Sequence, residues 1–64
     1  MFLASRLSNH RLVVGTWKLV ATLQEAVDHL KTLGDVTNND CRIYKADLNE
    51  TPVMVKYSEW STLV

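Results

Sequence analysis

Thr22-Leu23-Gln24-Glu25-Ala26-Val27-Asp28-His29-Leu30-Lys31-Thr32-Leu33-Gly34 carries a start, a periodic apolar face and a stop. Thr22 is a good N-cap, and Glu25 at the third position beyond it completes a capping box. Leu23, Ala26, Val27, Leu30 and Leu33 recur at the i, i+3, i+4 spacing of one stripe, while Gln24, Asp28, His29, Lys31 and Thr32 fall on the other side. Gly34 offers the left-handed residue that ends a helix. A helix this short is marginal alone, so its stripe must be packed against something.

The flanking segments predict strands for it to pack on. Upstream, Arg11-Leu12-Val13-Val14-Gly15-Thr16-Trp17-Lys18-Leu19-Val20 is rich in β-branched and aromatic residues. Val14, Thr16, Lys18 and Val20 share one face and Val13, Trp17 and Leu19 the other, with Gly15 marking a bulge that switches faces. Residues 2–7 are expected to be a partner strand joined through Ser8-Asn9-His10, with a short N-terminal helix as the alternative. Downstream, residues 41–48 and 53–60 are predicted to form a hairpin around Asn49-Glu50-Thr51-Pro52. That loop pairs Leu48 with Val53, Ala46 with Val55, Tyr44 with Tyr57 and Arg42 with Glu59, each a chemically sensible neighbour. Tyr44, Ala46, Leu48, Val53, Val55 and Tyr57 then face the core, against Leu23, Val27 and Leu30. The expected fold class is α+β: a single helix packed on one face of a small three- or four-stranded antiparallel sheet, in the order (β)β-α-β-β, as one domain over residues 1–64.

A chain of 64 residues buries only about 60% of the surface its unfolded form exposes, which leaves room for one thin core and none for a deep cleft. The hydrophobic fraction of 47% is ample for a folded domain. Cys41 is the sole cysteine, which excludes an internal disulfide framework and points to a reducing compartment. The start Met1-Phe2-Leu3-Ala4-Ser5-Arg6 is too short in apolar length for a signal peptide, and there is no long apolar run, so a cytoplasmic location away from membranes is expected. Residues 1–24 hold Arg6, Arg11 and Lys18 and no acid, a net of +3; the remainder sets seven acids against Lys31, Arg42, Lys45 and Lys56, a net of −3. Three dispersed cations are a thin footprint for nucleic acid, so direct binding to it is disfavoured.

No motif supplies chemistry. His10 and His29 are far apart in sequence, a zinc site needs three or four converging ligands, and Cys41 has no nucleophile signature. Glu25 and His29 read as a solvated helix pair. The loop Gly34-Asp35-Val36-Thr37-Asn38-Asn39-Asp40 lacks the spacing of a calcium loop, and Val13-Val14-Gly15-Thr16 is no phosphate loop. Neither a cofactor, a metal nor an enzymatic role is expected. One helix can shield only one sheet face, and the predicted register puts Cys41, Ile43, Met54 and Trp60 on the other. Ile43, Trp60 and Met54, with Trp17 next and Asp35 and Asp40 as a charged rim, are therefore the candidate partner contacts. The other outcome is that the N-terminal segment or the tail 61–64 folds over them. The hairpin edge offers a second route, by strand addition.

The order of strand, Ala21-Thr22-Leu23-Gln24-Glu25-Ala26, short helix and hairpin resembles small phage-encoded inhibitors of host machinery. The likeness covers residues 17–44 and is carried by the helix start. No signature outside that start corresponds and the N-terminal segment differs, so no functional residue of such inhibitors maps onto this chain. The resemblance implies a mode of action, occupation of a surface on a larger host protein or protein–nucleic-acid complex. The expected function is thus a non-enzymatic, host-directed binding module, with a structural homo-oligomer or a small nucleic-acid binder as alternatives.

Overall fold

The computed structural model describes residues 1–8, 11–13, 15–47 and 49–64. The elements run β1 (Phe2–Ser8), β2 (Arg11–Leu12), β3 (Lys18–Val20), α1 (Leu23–Leu33), β4 (Cys41–Lys45), β5 (Val53–Met54), α2 (Tyr57–Trp60) and a closing 3₁₀ turn (Ser61–Leu63). The segment at residues 2–7 is the strand of the two readings, and it is the centre of the sheet. β2 and β3 pair with successive stretches of one side of β1, β4 pairs with the other side, and β5 lies beyond β4. All pairings are antiparallel, so the α+β class stands: one main helix on a sheet four strands wide.

The bulge at Gly15 has a clear construction. β1 pairs Ser8 with Arg11 and Phe2 with Val20, so Arg11 and Val20 share a face although their positions differ by an odd number, nine. Regular alternation would oppose them. The surplus falls between β2 and β3, where Thr16 N–H donates to Val13 O at 3.2 Å and Gly15 has φ +93°. The Thr16 hydroxyl donates to Val13 O at 2.6 Å and accepts the Arg6 N–H of β1 at 3.1 Å, filling the interrupted ladder. The connection through Asn9 and His10, the facing of Val14 and the Leu48–Val53 pair lie outside the described residues.

The helix forms where its signals place it. Thr22 Oγ1 accepts the Glu25 N–H at 3.2 Å and donates to Glu25 Oε1 at 3.1 Å. Gly34, at φ +138°, ends it. Ala26, Val27 and Leu30 are buried against β1 and β3, with Leu23 half-buried and Leu33 left outside.

The hairpin is where the sequence misleads. β4 ends at Lys45, and the register sets Tyr44 against Met54 and Lys45 against Val53 in place of Tyr44 against Tyr57. The odd slip turns β4 over relative to β5. Cys41 and Ile43 are buried, while Tyr44 faces the other way. β1 enforces this: its five pairs with β4 set Ile43 beside Ala4 and Cys41 beside Arg6, under the helix. Past Lys45 the chain stays with β1, as Ala46 N–H bonds Met1 O at 2.9 Å, so Ala46 does not reach Val55. The expected strand 53–60 breaks because Glu59 folds back to accept the Lys56 N–H at 3.1 Å, opening α2. Arg42 therefore does not meet Glu59; its Nη1 donates to the carbonyls of Asn38 and Cys41.

That turn carries Trp60 inward. It is 1% exposed and joins Ala4, Val20, Ala26, Val27, Leu30, Cys41 and Ile43 in one core, with Tyr57 edge-on to it at 4.7 Å between ring centroids. Gln24 and Lys31 of α1 reach the Leu63 carbonyl, at 3.5 and 3.3 Å, tying the end of the chain to the helix.

Candidate functional site

The helix, α2 and the closing turn lie on one side of the sheet, and among the described residues no helix lies on the other. The pairing register says what it displays. Leu3 faces Leu19 on one flank and Tyr44 on the other, and Tyr44 faces Met54. Residues directly opposite share a face, so Leu19, Leu3, Tyr44 and Met54 form one row across β3, β1, β4 and β5. Leu19 is 51% and Met54 54% exposed, with Leu3 and Tyr44 half-buried between them. Trp17, immediately before β3, is 51% exposed. The next rank holds buried Ser5 opposite half-buried Arg42, and half-buried Leu7 lies beyond. Among the described residues of β1, β3, β4 and β5 on this face there is no acid.

The six candidate contacts separate. Trp60 and Ile43, 1% and 0% exposed, are core residues and are corrected from the docking set. The inverted β4 and the helical turn of residues 57–60 account for both. Met54 lies on the open face by its pairing with Tyr44, and Trp17 is exposed just before β3. Asp35 and Asp40 are exposed in the loop after α1, away from the row. The Asp35 carbonyl accepts Arg6 Nη1 at 2.9 Å, and the Asp40 carbonyl accepts the Leu7 N–H at 2.7 Å, so their backbones brace the loop against β1. Leu3, Leu19 and Tyr44 were missed. The signal for them was Ala4 in the middle of β1, a small side chain that suits the close approach of a helix and so assigns its neighbours Leu3 and Ser5 to the far side.

The hairpin edge does not invite strand addition. Val55 N–H bonds Ile43 O at 2.8 Å, so in this register Met54 turns its N–H and C=O outward. On one side of it Pro52 has no N–H. On the other, Lys56 has its N–H taken by the Glu59 carboxylate and its carbonyl by the Glu59 N–H. A single free backbone pair is a blunted edge.

His29 and Cys41 are tied into structure. His29 Nε2 lies 2.8 Å from Thr16 O and pins the bulge to α1. Cys41 is fully buried, its sulfur 3.7 Å from Arg6 Nη1. Among the described residues, no group of three or more His, Cys, Asp or Glu could hold a metal ion, and no helix is long and apolar enough to cross a membrane. A cavity of about 300 Å³ between the hairpin and the start of α1 is walled by Phe2, Leu23, Val53, Met54 and Val55, so Met54 borders both it and the open face. Comparison with protein-family models, curated proteins and solved structures gives no match.

Proposed function

We propose that this chain is a non-enzymatic protein-binding module that acts by steric occlusion, seating its open sheet face on a larger protein. The observation that carries this is the unbroken apolar row from Leu19 through Leu3 and Tyr44 to Met54, on the side that, among the described residues, no helix covers. Single exposed apolar side chains are ordinary, whereas a contiguous set with an aromatic in it has the composition of an interface centre. The blunted hairpin edge favours the face over the strand edge as the contact. The pattern shared with small phage-encoded inhibitors supports a more specific reading, a phage or mobile-element protein that covers a surface of a host enzyme or defence complex.

The test compares the tagged chain with the double variant Leu19→Glu, Met54→Glu in a bacterial lysate. Both side chains are more than half exposed, so the variant should keep its far-UV circular dichroism and its melting transition. The parent chain should retain a discrete protein that the variant loses. Retention of the same proteins by both, with the variant folded, overturns the assignment to this face. Light scattering at micromolar concentration separates self-pairing through the same face from binding of a different protein.

A further inference from the structure

The covered side of the sheet shows what kind of element this sheet accepts. α1 lays Ala26, Val27 and Leu30 on β1 and β3, and its flanking acids Glu25 and Asp28 share an open groove with Lys18 of the edge strand. An apolar stripe meets apolar strands, and acids of the helix line the same groove as a strand cation at the margin.

The open side repeats that chemistry without an occupant. Its apolar row is bordered by Arg42, and continuing the register that pairs Lys45 with Val53 and Tyr44 with Met54 sets Lys56 across from Arg42. Val55 N–H to Ile43 O confirms that the register persists toward Lys56, whose backbone is extended at φ −63° and ψ 142°. Like charges directly opposite each other are unfavourable in an isolated sheet. All seven acids of the chain lie in helices and loops, and of the cations in the strands Arg42 is on this side, while Arg6, Arg11, Lys18 and Lys45 share the side of Ala4 under the helix. Resting on the protein-binding reading above, we infer that the partner supplies an acidic amphipathic helix, its apolar stripe on Leu19, Leu3, Tyr44 and Met54 and its acids against Arg42 and Lys56, as a second helical layer mirroring α1. Aliphatic side chains dominate the row and two cations border it, which suits a protein helix rather than a nucleic-acid strand, for which stacked rings and a dense basic track are needed.

Amide chemical-shift mapping on the full chain tests this with three probes: a synthetic amphipathic helix with leucines on one face and glutamates flanking them, its lysine counterpart, and a single-stranded oligothymidylate. The glutamate peptide should give saturable shifts at Leu3, Leu19, Tyr44 and Met54 and bind at least about tenfold more tightly than the lysine peptide. Arg42→Gln or Lys56→Gln should each narrow that preference; Lys56 lies outside the carbonyl contacts that Arg42 makes, so its variant stands should the Arg42 change disturb the loop. Equal binding of both peptides to the face overturns the acidic-helix inference while leaving the protein-binding reading in place. Silence of the face toward both peptides overturns the two together. Tighter binding of the oligothymidylate than of the glutamate peptide assigns the face to nucleic acid and overturns the inference.

Discussion

Two tryptophans show how much one residue's role depends on its surroundings. Trp17 is half exposed just before β3, and Trp60 is sealed in the core beside Leu30 and Ile43. Truncating a buried aromatic removes its transfer free energy and leaves a cavity, a cost of about 3–5 kcal/mol. A single core in a domain this small rarely supplies more than about 3–5 kcal/mol in total. Trp60→Ala is therefore expected to abolish the cooperative thermal transition, whereas Trp17→Ala should leave it intact. Circular dichroism melts of the two variants decide the matter, and a cooperative, near-parental melt for Trp60→Ala would show that Trp60 does not hold the core.

At the scale of elements, the helix stands on local chemistry that is separable from its packing. Thr22 gives α1 its only side-chain cap among the described residues, through the Glu25 N–H. Thr22→Ala should cost about 1 kcal/mol, and Thr22→Ser, which keeps the hydroxyl, should recover most of it; equal destabilisation in both, measured by denaturant midpoint, would remove the cap from the account. This locality is also why the helix was legible residue by residue in the sequence. Its cap, stripe and terminating Gly34 all lie within one short segment. A break at Gly15 was legible for the same reason, since a glycine inside a β-branched run is a local interruption, but the single strand expected over residues 11–20 forms as β2 and β3 on either side of it. The second hairpin was not legible. Its pairs looked favourable two at a time, but β4's facing is set by β1, which is remote in sequence, and by Glu59 capping α2 in place of extending a strand. Of the candidate contacts, Met54 falls on the side away from the helix by its register and Trp17 is half exposed, whereas Trp60 and Ile43 are core. Tyr44 was hidden because its facing follows from the pairing of β4 with β1, remote in sequence, while Leu3 and Leu19 were signalled only indirectly, by Ala4 in β1 and by strand alternation.

For the whole molecule, the layering sets how partner binding should respond to salt. The open face is apolar at its centre, and among the described residues its charge lies at one margin, on Arg42 and on Lys56 where the register continues past β5. Exposed ion pairs contribute up to about 1 kcal/mol each and are screened as ionic strength rises. Two such pairs can change affinity by no more than about thirtyfold between low and high salt, at about 1.4 kcal/mol per factor of ten. The apolar centre should hold, or strengthen, over the same range. A nucleic-acid face behaves differently, since each phosphate contact releases counterions and six to ten of them weaken binding by about 10³–10⁵ between 50 and 200 mM salt. The captured partner should thus survive washing in concentrated salt, and its dissociation constant, measured as salt is raised, should climb gently and then level off. A steep log–log decline without a plateau would mean that phosphate contacts govern the face and that the apolar row is not what binds.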